Sequence, residues 1–109
     1  MGKGNARAVN GSPFYQGEDE IIARGVTVPT TWGTATFSNI ANKLYEDPEG
    51  DNTDVSATNL SGVSTASGQV ITTQSVGSLT AGTDYRLEVK FDTSEGNTME
   101  FYMIIKCVR

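Results

Sequence analysis

Thirteen acidic residues, eight basic ones, one cysteine and no histidine make up the reactive inventory of this 109-residue chain. Carboxylates gather in two places: Glu18, Asp19 and Glu20, and then Asp47, Glu49, Asp51 and Asp54. Paired carboxylates can divide acid and base roles in glycoside hydrolysis, and oxygen-only ligand sets suit Ca²⁺. The second cluster lacks the D-x-[DN]-x-[DN]-G order of an EF-hand loop, and glycosidase chemistry needs a substrate cleft that so short a chain rarely builds. Both clusters therefore read as solvated charges in turns. Without histidine neither a Ser-His-Asp nor a Cys-His arrangement can be assembled, and proton shuttling near neutrality loses its usual residue. Cys107 stands alone, which excludes an internal disulfide and a cysteine-built metal site. Neither GxxxxGK[ST] nor a strand-linked GxGxxG occurs, so no phosphate cradle is expected. The reading is a non-enzymatic chain with no catalytic residues, no metal and no cofactor.

The surrounding elements point the same way. Fourteen threonines favour strands through their branched Cβ. The length suits one domain with a single modest core. A formal charge of −5 offers no attraction to phosphate backbones or anionic lipid, so no nucleic acid and no membrane partner is expected. The longest apolar stretch, near Met103 to Val108, is far short of the roughly 20 residues a membrane span needs. The first residues carry Lys3 and Arg7 but no apolar run behind them, so the sequence reads as made in a cytoplasm without a signal peptide. The Asn10-Gly-Ser12 and Asn59-Leu-Ser61 triplets match a glycosylation acceptor but carry little weight without such a signal.

Residues 1–13 are rich in Gly, Asn and Ser and read as a flexible N-terminal arm, leaving 14–109 as one β-sandwich domain. Glu20 to Val28 reads as a strand closed by Pro29, and Trp32 to Tyr45 as another whose phase switches around Asn39. Asp47 to Asp54 is a loop, Val55 to Leu60 a brief strand, Ser61 to Gly68 a connection, and Val70 to Gln74 extended again. The clearest signal lies at the end. Tyr85, Leu87, Val89 and Phe91 alternate with Arg86, Glu88, Lys90 and Asp92, then a Gly-containing turn leads to Met99, Phe101, Met103, Ile105 and Cys107 on one face. These stretches form an antiparallel hairpin. The opposite face of its last strand holds Tyr102, Ile104 and Val108, more apolar than full solvation requires, and is either covered by side chains of neighbouring strands in the same sheet or a candidate interface with another subunit.

At the entrance to that hairpin, Leu79, Gly82 and Tyr85 stand at three-residue intervals. The spacing resembles the tyrosine corner of immunoglobulin-like and fibronectin type III sandwiches, in which the tyrosine hydroxyl bonds back to loop backbone. The fold class expected is thus all-β: an immunoglobulin-like or fibronectin type III-like antiparallel β-sandwich of about seven strands. It lacks the immunoglobulin disulfide, and Trp32 is a candidate core aromatic.

Taken together, Gly17-Glu-Asp-Glu20, Asn52-Thr-Asp-Val55, Val70-Ile-Thr-Thr73, Leu79-Thr-Ala-Gly82, Tyr85 to Phe91 and a basic C-terminal residue resemble small tailed-bacteriophage structural proteins of the fibre-tail adaptor or head/tail decoration type. The likeness covers residues 14–109, and its motifs are structural ones shared by many sandwiches. It implies a multicopy part of a virion that binds other head or tail proteins and carries no catalytic residues. A second reading is a carbohydrate-binding sandwich using Trp32, Tyr15 or Tyr102 as stacking platforms, with Ca²⁺ in the Asp47 to Asp54 loop.

Overall fold

The computed structural model describes residues 7–9, 12–29 and 36–109, and it is an all-β sandwich with one turn of helix. Trp32 lies outside the described residues.

The hairpin at the end of the chain is the scaffold. Strands β10 (Asp84–Thr93) and β11 (Thr98–Val108) pair antiparallel from Asp84 opposite Lys106 to Asp92 opposite Thr98. Their reversal is closed by Thr93 N–H to Asn97 O and by Gly96 in the left-handed region at φ 88°. On its other side β10 pairs antiparallel with β4 (Phe37–Glu46), and the short β5 (Thr53–Asp54) ends the sheet. Along the free edge of β11 lie β1 (Arg7–Ala8) and β2 (Phe14–Gly17), both parallel to it. Between them the Ser12 hydroxyl takes the Ile104 N–H at 2.8 Å. Among the described residues pairing is thus present from Arg7, inside the stretch read from sequence as an arm, and the sheet is mixed rather than purely antiparallel.

Facing this sheet are β3 (Gly25–Thr27), β8 (Val70–Thr72) and β7 (Thr65–Ser67), in the order β3-β8-β7. A small ladder of β6 (Leu60–Ser61) and β9 (Ser75–Val76) extends through an Ile22–Val76 bridge. The core lies between the layers. Tyr85, Leu87, Val89 and Phe91 of β10, with Phe101, Met103, Ile105 and Cys107 of β11, pack against Val26, Val28, Ile71, Val76 and Leu79. Phe91 meets the edge of Phe37 with ring centres 4.9 Å apart.

Several elements differ from the sequence reading for identifiable reasons. The strand read over Glu20 to Val28 shrinks to Gly25–Thr27, because the backbone around Arg24 bonds to Thr73 rather than to a continuous ladder. Val55 to Leu60, read as a strand, holds instead the single turn α1 (Ser56–Asn59). There the Ser56 hydroxyl accepts the Leu44 N–H at 2.8 Å, taking a ladder bond of β4 and ending the pairing. Ser61 to Gly68, read as a connection, contains β7, whose three side chains are exposed and so show no alternation. The phase switch in β4 is a β-bulge: the register shifts opposite Lys90 and Asp92, and Asn39 has φ 51°.

Candidate functional site

The outer face of the large sheet is where chemistry-bearing side chains accumulate. Because directly opposed residues share a face, the register lays out rows across β11, β10 and β4: Ile104, Arg86 and Tyr45, then Tyr102, Glu88 and Lys43, then Glu100, Lys90 and Ala41. In this face Arg86 and Glu88 are only 5% and 6% exposed. The Arg86 Nε donates to Glu88 Oε2 at 2.7 Å, and its guanidinium carbon stands 3.7 Å from the centre of the Tyr102 ring. Such a cation over an aromatic face is attracted by the ring quadrupole and is stronger where water is displaced. Toward the ends, Lys106 Nζ meets Asp84 Oδ2 at 3.0 Å and Lys43 Nζ meets Asp54 Oδ2 at 3.7 Å. The result is an ion-paired polar platform bordered by apolar side chains.

Of the candidate interface residues, Tyr102 and Ile104 are half-buried in this face and Val108 is 43% exposed at its end. Tyr15, paired with Lys106 on the neighbouring β2, is 64% exposed and continues the same face to the sheet edge. One ring face of Tyr102 is covered by Arg86, so it works as packing for the guanidinium as much as a surface group.

Leu79, Gly82 and Tyr85 come together at the entry to β10. Leu79 is buried in the core and Gly82 has φ 83°, a conformation that L side chains rarely adopt. The Tyr85 hydroxyl accepts the Thr80 N–H at 2.9 Å and lies 3.4 Å from Glu46 Oε2. The corner is tied to β11 by Gly82 N–H to Cys107 O and by Cys107 N–H to Thr83 O.

The acidic clusters do different work. Glu18 and Asp19 are exposed in a turn, while Glu20 Oε1 caps the Gly17 N–H at 2.7 Å. In the second cluster the Asp47 carbonyl accepts the N–H groups of Gly50 and Asn52, and Asp54 Oδ1 accepts both the N–H and the hydroxyl of Ser56. Those two bonds hold the Asp54 carboxyl below its ordinary pKa. Among the described residues no three or more His, Cys, Asp or Glu side chains are grouped to hold a metal ion. Cys107 is buried and its thiol pKa is pushed up by desolvation. No helix among the described residues is long and apolar enough to cross a membrane.

Three features carried no sequence signal. Gln16 is fully buried, its amide donating to Val76 O at 2.7 Å and Glu20 O at 3.0 Å and accepting from Arg24 Nη2 at 3.0 Å. Burial of that guanidinium lowers the Arg24 pKa, against an opposing pull from Glu20. The burial of Arg86 and Glu88 was masked by a polar alternation that reads as solvated. Glu100, on the same face, was not singled out either. Comparison with known protein families, with curated proteins and with solved structures found no match to this chain.

Proposed function

We infer that this protein is a non-enzymatic binding module whose partners are other proteins, docking on the outer face and free edge of the large sheet. The observation that carries the reading is the ion-paired and stacked group of Arg86, Glu88 and Tyr102 in the outer face of the large sheet, flanked by more exposed side chains. Arginine and tyrosine dominate interface hot spots, and side chains already ordered lose little entropy on association. Exposed Tyr15 and Val108 supply apolar area around it. The order β11-β10-β4-β5 in one sheet and β3-β8-β7 in the other is compatible with the two sheets of an immunoglobulin-like sandwich, and this supports reading the all-β sandwich as one of that type.

Within this reading the chain is a multicopy structural part of a bacteriophage particle, a fibre-tail adaptor or a head or tail decoration, located in the virion and contacting other virion proteins. The sequence resemblance is the support for this finer step. A multicopy part self-associates or binds neighbouring particle proteins. Sedimentation velocity of the full chain from micromolar to millimolar concentration is expected to show species heavier than the monomer, reduced by Ile104→Asp. A strictly monomeric chain throughout overturns the homo-oligomeric form of the proposal.

A further inference from the structure

Strand β3 ends the small sheet, and its pairing leaves half of its backbone open. Thr73 N–H bonds to Arg24 O at 2.9 Å and Val28 N–H to Gln69 O at 2.7 Å, so residues 24, 26 and 28 turn their backbone groups toward β8. The N–H and C=O groups of Gly25 and Thr27 therefore point away from β8, and no other strand pairs with them among the described residues. Both residues are exposed and uncharged, and residues 23–27 contain neither the lysine nor the proline that commonly blocks further pairing at a sheet edge.

Beside that edge the two sheets part. A cavity of about 560 Å³ lies between Val26 of β3 and Ala8, Val9, Phe14 and Met103 of the large sheet. Val9 and Phe14 pack against the core yet are only half-buried, so apolar surface that faces inward reaches water here. Arg24, the charged member of this lining among the described residues, donates to Gln16 Oε1 at 3.0 Å and stands 5.6 Å from the centre of the Phe14 ring. It closes one end and leaves the wall around Val26 apolar.

We propose that this edge takes an extended strand from a different polypeptide, which pairs antiparallel with β3 and inserts one apolar side chain into the cavity. A strand bonded to Gly25 and Thr27 turns the residue opposite Val26 inward, level with the cavity. Main-chain bonds then supply affinity independent of sequence, and the inserted side chain supplies selection. The β3 of a second copy cannot fill this role, because its inward residue Val26 is already held in its own core. The site lies on the small sheet, goes beyond the outer-face docking described above, and does not depend on it.

The test is a titration of the ¹⁵N-labelled full chain with the peptide acetyl-Lys-Thr-Thr-Leu-Thr-Thr-Lys-amide. Saturable shifts are expected at the amides of Val9, Phe14, Gly25 and Thr27, with slower solvent exchange at Gly25 and Thr27. Methylating the backbone nitrogens of the two threonines beside the leucine removes the donors to the Gly25 and Thr27 carbonyls and is expected to abolish binding. Asparagine in place of the leucine keeps those donors and is expected to weaken binding on the order of tenfold, the effect of losing one buried apolar side chain. On the protein, Thr27→Pro deletes an outward N–H without touching the β8 ladder, and Ala8→Phe fills the cavity while leaving the edge open. Each is expected to weaken binding by a similar factor, and Ala8→Phe carries the test if the proline variant does not fold. Absence of saturable shifts, shifts confined to the outer face of the large sheet, or equal affinity of the methylated or asparagine peptide each overturns the proposal. Ile104→Asp, which addresses self-association through the outer face, is expected to leave peptide binding unchanged, so the two readings fail separately.

Discussion

Two polar side chains, Tyr85 and Gln16, hold loops to the core through hydrogen bonds to backbone. Tyr85→Phe keeps the ring in the core and deletes the acceptor for Thr80 N–H, so unfolding in denaturant is expected to show a loss of about 1 kcal/mol with unchanged slope. An unaltered midpoint would contradict the role given to the hydroxyl. Gln16→Leu is the more severe change, because it removes the donor to Glu20 O and the acceptor of the Arg24 guanidinium in a buried setting, while Val76 O keeps only the Ile22 N–H. A loss of about 2–3 kcal/mol is expected from these unsatisfied groups. Tyr85 was legible in the sequence because a corner has fixed spacing relative to Leu79 and Gly82. Gln16 was not, since its partners Val76 and Arg24 are brought to it by the fold and leave no periodic trace.

At the scale of elements, the hairpin was readable because apolar residues recur at every second position along β10 and β11, while the short strands were not. β7 exposes all its side chains, and α1 arises from one hydroxyl at Ser56 competing for a ladder bond, a choice that propensity alone cannot settle. The β4 bulge depends on Asn39 in the left-handed region, which asparagine tolerates and branched residues do not. Asn39→Val is expected to cost about 1–2 kcal/mol, seen as a lower thermal midpoint; an unchanged midpoint would place the phase switch elsewhere. Asp92, bonded by Asn39 and Thr98, and Asp54, bonded by Ser56, both have carboxyl pKa values below the ordinary one. A lowered folded-state pKa gives stability that is present above the ordinary carboxylate pKa of about 4 and is lost as pH falls through the lowered value. The thermal midpoint is therefore expected to fall on acidification below that range, and to fall less in Ser56→Ala. Identical acid profiles for the two proteins would contradict the assignment for Asp54.

For the whole molecule, the layered β architecture followed from alternation and composition, but the character of its exposed face did not. Tyr102 and Ile104 hinted at an interface, yet Arg86 and Glu88 looked like solvated positions until the register set them beside Tyr102, Tyr45 and Ile104. Glu88→Ala deletes the shielded carboxylate that accepts from Arg86 Nε at 2.7 Å, so a loss of about 1.5–3 kcal/mol, that of a hydrogen bond to a charged group, is expected in denaturant unfolding. Docking on this outer face is thus the role the ion-paired platform is proposed to serve. The measurement that tests it most directly is amide exchange and chemical-shift mapping of the full chain as concentration rises from micromolar to millimolar. Concentration-dependent protection and shifts confined to the outer-face residues of β2, β11, β10 and β4 are the expected result; a monomer whose outer face stays equally exposed at every concentration would contradict the account.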